Sequence, residues 1–155
     1  MVFDGGSGSL KVGWAGSDWP TSVFPSVVGR PRFSRPFLSP WPLLKDSYVG
    51  DKVQHLRGIL NVTYPIWRGT VTNWDDMEKL WHFSFYSALS VTPKDHPLLI
   101  SETPFSPKAN KEKTQQIMFE TFNIPAFYSA LAPTLAVYSP GRWSAMVLDI
   151  GEGTC

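Results

Sequence analysis

Val2-Phe3-Asp4-Gly5-Gly6-Ser7-Gly8 near one end of the chain is echoed by Val147-Leu148-Asp149-Ile150-Gly151-Glu152-Gly153 at the other. Each run is an apolar pair, an aspartate, and glycines two and four positions after it. The apolar pair reads as the buried end of a strand. The glycines permit a tight turn whose N–H groups approach an anion without interference from Cβ. The aspartate then suits a hydrated divalent cation. Two such loops facing one another would clasp a phosphate chain and its Mg²⁺ from both sides. A single Asp-x-Gly-x-Gly also serves as an ordinary hairpin turn, so the duplication gives the pattern its weight.

Outward from the first loop, residues 1 to about 28 mix β-branched and aromatic positions with glycines. This predicts hairpins, with the loop joining two strands. Pro31, Pro36, Pro40 and Pro42 predict a loop over 29–44, because proline suits neither a helix interior nor a central strand. Asn73 ahead of Trp74, Asp75 and Asp76 predicts a helix start with an acidic first turn. Trp74, Met77, Leu80, Trp81 and Leu89 then fall on one face and read as core.

Leu98-Leu99-Ile100 is a buried strand, and Ser106-Pro107 a helix start with a capping serine. Ile117, Met118 and Phe122 form that helix's apolar side. Pro125 leads into a strand over 126–131, and Pro133 opens a helix through Tyr138 that ends at Gly141. The order is α/β.

Composition narrows the function classes. Fourteen Lys and Arg against thirteen Asp and Glu leave no electrostatic case for nucleic acid or an anionic membrane. No run approaches the about 18 apolar residues of a membrane span, and no basic-then-apolar leader is present. The single Cys155 excludes an internal disulfide and suits a reducing compartment. Asn61-Val62-Thr63 fits a glycosylation sequon, which we read as chance.

Longer collinear runs are more specific than either loop. Asp4 to Lys11 with Gly13-Trp14-Ala15-Gly16, Phe24 to Arg32, Lys45 to Asp51 and Arg57-Gly58-Ile59-Leu60 form one series. Val71 to Lys79, Pro107-Lys108-Ala109-Asn110 and Gln116 to Asn123 continue it. Together they resemble the actin family over nearly the whole chain. The resemblance implies a ribonuclease-H-like ATPase outer lobe with a small inserted subdomain. Residues 1–25 and 65–139 would be the outer-lobe core, 26–64 the insert with its proline-rich loop 33–44, and 140–155 the start of the inner lobe. Because an actin fold has two lobes and a much longer chain, the second lobe is expected to be essentially missing, as in a truncated product.

The resemblance also assigns the chemistry. Asp4 and Asp149 correspond to the carboxylates that hold the hydration shell of Mg²⁺. Gly6, Ser7, Gly8, Ser9 and Lys11 correspond to the first phosphate loop of an ATP site, with Ser9 where the family usually has leucine. Gly151, Glu152 and Gly153 correspond to the second, with Glu152 in place of an aspartate. Ala132 stands where actins carry the glutamine that positions the attacking water, and alanine has no polar group for that task. At most a vestigial ATPase is expected, with no catalytic residue assigned and no tight nucleotide binding by the isolated chain.

Polymer contacts are altered as well. The loop Phe33 to Leu44 is longer than the family's and unlike it in sequence, and Arg68 replaces a histidine that is usually methylated. Trp143 adds bulk near the cleft where actin-binding proteins dock. The resemblance implies a cytoplasmic, cytoskeletal protein that does not polymerise by itself. Its partners would be actin or actin-binding proteins, not nucleic acid or membrane. Two other outcomes stand beside this one: a non-catalytic fragment that binds actin or its regulators, or a degenerate product without a stable role.

Overall fold

The computed structural model describes residues 1–32 and 45–153. The chain opens with β1 (Val2–Gly5), β2 (Ser9–Gly13) and β3 (Ser22–Pro25), two successive hairpins. Alternation explains β2: Leu10 and Val12 are buried while Lys11 between them is exposed. Next come β4 (Val28–Pro31), β5 (Tyr48–Val49), α1 (Asp51–His55) and β6 (Leu60–Thr63), then the short hairpin β7 (Ile66–Trp67) and β8 (Thr70–Val71). Helix α2 (Trp74–Phe83), β9 (Leu98–Glu102), α3 (Lys108–Glu120), β10 (Phe127–Leu131) and α4 (Ala132–Tyr138) complete the order.

The main sheet has five strands in the order β10-β9-β1-β2-β3. β10, β9 and β1 are parallel, whereas β2 pairs antiparallel with both β1 and β3 through the two hairpins. This is the expected α/β architecture. Its apolar core joins Phe3, Leu10 and Val12 of the sheet to Leu80 and Trp81 of α2 and Met118 of α3. Phe85 bridges the layers, 4.9 Å from Phe3 and 5.0 Å from Phe122 between ring centroids. A smaller sheet, β5-β4-β6, has its own apolar cluster of Val27, Val53 and Leu60.

One buried charge ties the small sheet to the body. Asp76 in the first turn of α2 has no exposed surface, and its carboxylate accepts hydrogen bonds from Arg30 of β4, Thr63 of β6 and Asn73. Asn73 also caps the helix as expected, its side chain accepting from the Asp76 N–H at 3.1 Å.

Four expectations need correction. Residues 29–31, expected in a loop, belong to β4: Pro31 sits at the strand's end, beyond the reach of β5, so its missing N–H costs no ladder bond on that side. The remainder of the proline-rich loop, 33–44, lies outside the described residues, as does Cys155. Ser106 does not cap α3; Pro107 occupies the cap position and no side chain bonds there. The face of α2 ends at Phe83 and a π-helical turn follows (Ser84–Ala88), so Leu89 reaches the core from beyond the helix. Finally, Val147-Leu148 is no buried strand end: 143–153 form no strand, and Leu148 and Ile150 are exposed. Among the described residues, no backbone hydrogen bond anchors that segment.

Candidate functional site

The turn between β1 and β2 carries Gly6-Ser7-Gly8. Gly6 donates its N–H to the Ser9 carbonyl at 3.1 Å, and a Cβ on Gly6 would lie 2.9 Å from that same oxygen. Close approach, not a left-handed backbone, is what requires glycine here. Buried Ser26 braces the loop twice: its hydroxyl donates to the Gly6 carbonyl at 2.8 Å and its N–H to the Gly8 carbonyl at 3.0 Å.

A second brace comes from the β7–β8 hairpin. Arg68 and Gly69 both have positive φ, 47° and 72°, the signature of a two-residue hairpin turn whose twist matches the strands. The Gly69 N–H donates to the Ser7 hydroxyl oxygen at 3.0 Å, which leaves the hydroxyl's own proton free to donate to a ligand. Thr103 in turn holds the Gly69 carbonyl at 3.2 Å.

Asp4, at the end of β1, accepts from Lys11 of β2 at 2.8 Å and from the Ser101 hydroxyl of β9. The antiparallel register places Asp4 and Lys11 directly opposite one another. Burial pushes the Asp4 carboxyl up, but the hydrogen bonds from Lys11 and Ser101, with the ammonium's charge, outweigh it. Asp4 is therefore held below the usual carboxylate range, as an anion at neutral pH.

The second loop meets the first. A Cβ on Gly153 would fall 2.3 Å from the Ser7 hydroxyl oxygen, and one on Gly8 would fall 1.8 Å from the Glu152 carboxylate. The Gly153 backbone thus packs against the Ser7 side chain, and the end of the Glu152 side chain lies against Gly8. Asp4, Gly5, Gly6, Ser7, Gly8, Ser9 and Lys11 line a cavity of about 380 Å³ together with Ala132, Asp149, Gly151, Glu152 and Gly153. Every site residue expected from the sequence thus borders one space. Thr103, Ser106, Asn110 and Lys111 also line it, and sequence reasoning missed them. Their side chains come from the β9–α3 connection and the start of α3, which carries no phosphate-type pattern. Ser26 left no signal either, since its role is to hold backbone carbonyls.

Among the described residues no three or more His, Cys, Asp or Glu side chains gather as a direct metal cage. Asp4 and Asp149 suit the other arrangement, a hydrated Mg²⁺ held through its waters by one or two carboxylates and completed by phosphate oxygens. Both Asp4 oxygens already accept from the protein, which favours an outer-sphere role.

The family model for actin matches residues 1–155, the whole of this sequence. The chain belongs to the actin family. Its five-stranded mixed sheet is the sheet of an actin-like outer lobe. No helix among the described residues is long and apolar enough to cross a membrane.

Proposed function

We propose that the chain supplies the phosphate- and magnesium-binding side of an actin-type ATP cleft and is a cytoplasmic, cytoskeletal protein with little or no hydrolytic activity. The observation that carries this is the shared cavity, where Asp4, Ser7 and Lys11 of one loop meet Asp149 and Gly153 of the other. In this reading Lys11 and the Ser7 hydroxyl neutralise and orient the terminal phosphates. Asp4 and Asp149 hold the hydration shell of Mg²⁺, which would offset phosphate charge when bound. Residues 1–25 and 65–139 act as the outer-lobe core, 26–64 as a small insert, and 140–155 as the start of the inner lobe.

Weak turnover rests on Ala132, which lines the cavity at the position of the family's water-orienting glutamine and offers only a methyl group. Weak binding rests on the contact of Glu152 with Gly8, which places a carboxylate where the loops would receive phosphate. Titration of the full chain with Mg-ATP tests the binding, with an expected Kd of about 0.1 mM or weaker that is lost in Lys11→Ala, and phosphate release at saturating Mg-ATP tests the turnover. A micromolar or tighter Kd would overturn the weak-binding reading, and binding indifferent to Lys11→Ala would overturn the site.

A second reading, a non-catalytic module that docks on actin or its regulators, is favoured by the apolar side chains of 143–150. Trp143 is 96% exposed and Met146 94% exposed. Co-sedimentation with actin filaments separates the two: pelleting that survives Lys11→Ala but fails in Trp143→Ser supports docking.

A further inference from the structure

A second cavity, of about 300 Å³, lies away from the phosphate loops, where β5 and α1 of the small sheet approach α2. Lys45, Lys52 and Lys79 border it, and none of its lining residues is acidic. Asp46 and Asp51 neighbour these residues in sequence but do not line the cavity. The clustering is notable because the whole chain carries a net charge of only +1. Among the described residues, the ion pairs formed by lysine involve Lys11, Lys108 and Lys111, and none of these three. Lys79 also acts at longer range on the Asp76 carboxylate, but among the described residues none of the three has an ion-pair partner, so an anion bound between them would relieve their mutual repulsion.

Neutral donors accompany the charges. Ser47, Tyr48 and Ser87 line the same cavity. The Tyr48 oxygen accepts the Lys45 N–H at 3.1 Å, so the phenolic proton is left to donate elsewhere. The side chain of His82 adds a ring N–H at the α2 edge. We propose that this cavity is a second anion site, built for a compact ligand with two or three adjacent phosphate groups. Its volume suits a compact ligand better than an extended acidic peptide. Its cations are point-like ammonium groups without an arginine fork, which suits phosphate oxygens better than a bidentate carboxylate.

The site is separable from the cleft because it shares no lining residue with it. Inorganic tripolyphosphate is the probe, titrated into the ¹⁵N-labelled full chain and followed by amide chemical shifts. Saturable shifts at Tyr48, Lys52, Lys79 and Ser87 are expected, and they persist in Lys11→Ala. Lys52→Glu, on an exposed side chain, lowers the affinity at least tenfold, and Lys45→Glu repeats the test at a second exposed position. Affinity also falls as ionic strength rises from about 0.01 M to about 0.15 M, where the screening length contracts from roughly 30 Å to 8 Å.

ATP binding as tightly as tripolyphosphate identifies a polyphosphate site, and ATP binding tenfold tighter identifies a nucleotide site; either supports the proposal. Shifts reproduced by sodium sulfate at equal ionic strength overturn it, as does Lys52→Glu and Lys45→Glu binding like the wild type. Loss of every shift in Lys11→Ala assigns all binding to the loops and also overturns it. Shifts confined to this cavity in the wild type sustain it while sinking the cleft reading.

Discussion

Glu152 shows how one methylene changes a site. An aspartate in the same loop would stop short, whereas the longer side chain sets its carboxylate against Gly8. Two unit charges about 4 Å apart at a protein surface interact by about 4 kcal/mol, and solvent exposure trims this to about 1 kcal/mol. Glu152→Ala is accordingly expected to tighten Mg-ATP binding roughly fivefold, measured by calorimetric titration. Unchanged or weaker binding would mean that the carboxylate is not the obstacle. Lys11→Ala tests the electrostatics from the other side. Burial then pushes Asp4 upward against Ser101 alone, so its carboxyl titrates at higher pH than in the wild type, visible in a ¹³C NMR titration. Ala132→Gln restores a water-orienting side chain and should raise phosphate release at saturating Mg-ATP; no increase would show that other losses dominate. The two loops were legible at this scale as a pair because the same spacing of aspartate and glycine recurs at both ends of the chain, whereas a single copy reads equally as a hairpin turn. Ser26 and Thr103 were not, because a serine or threonine bonding to a distant carbonyl leaves no mark in its own neighbourhood.

Secondary-structure elements follow the same division. Helix α2 was readable because its cap, acidic first turn and apolar face agree with one another. The apparent continuation to Leu89 was not, since a π-helical turn shifts the register while keeping the residues apolar. β4 was hidden by Pro31, whose local preference says loop until the partner strands are known. The second-loop strand was overread: Val147 and Leu148 have the composition of a strand, but a strand needs a neighbour to bond with, and composition does not supply one. Asp76 was assigned to the helix dipole, whereas its larger role is to accept from β4 and β6. Replacing it by alanine strips those donors of their partner. Breaking a buried pair costs about 3–5 kcal/mol, and the partial exposure of Arg30 argues for the lower end. Thermal denaturation of Asp76→Ala should show a markedly lower Tm, and Asn73→Ala a smaller loss of about 1 kcal/mol. Equal losses would contradict a role for Asp76 beyond the cap.

At the scale of the molecule, the exposed run through Trp143, Met146, Leu148 and Ile150 predicts association that depends on concentration. Analytical ultracentrifugation should reveal irregular oligomers, reduced in Leu148→Ser, and not regular helical filaments. The family and the α/β class were readable over the whole length because many short matches lay in one order. The coming together of both loops with the β9–α3 connection was not, because it depends on how distant segments pack. Asp76 finally implies an order of events in acid. Its folded carboxyl lies below the usual value, since the hydrogen bonds from Arg30 and Thr63 outweigh the upward push of burial. Its contribution is therefore complete above the unfolded value of about 4 and disappears as pH falls through the lower folded one. A single proton would then weaken the tie between the small sheet and the body, leaving the packing of Val28 and Val49, while Phe3, Phe85 and Phe122 still hold the larger core. Acid should part this molecule along a seam, and amide exchange at falling pH would show β4 and β6 opening before β1 and β9.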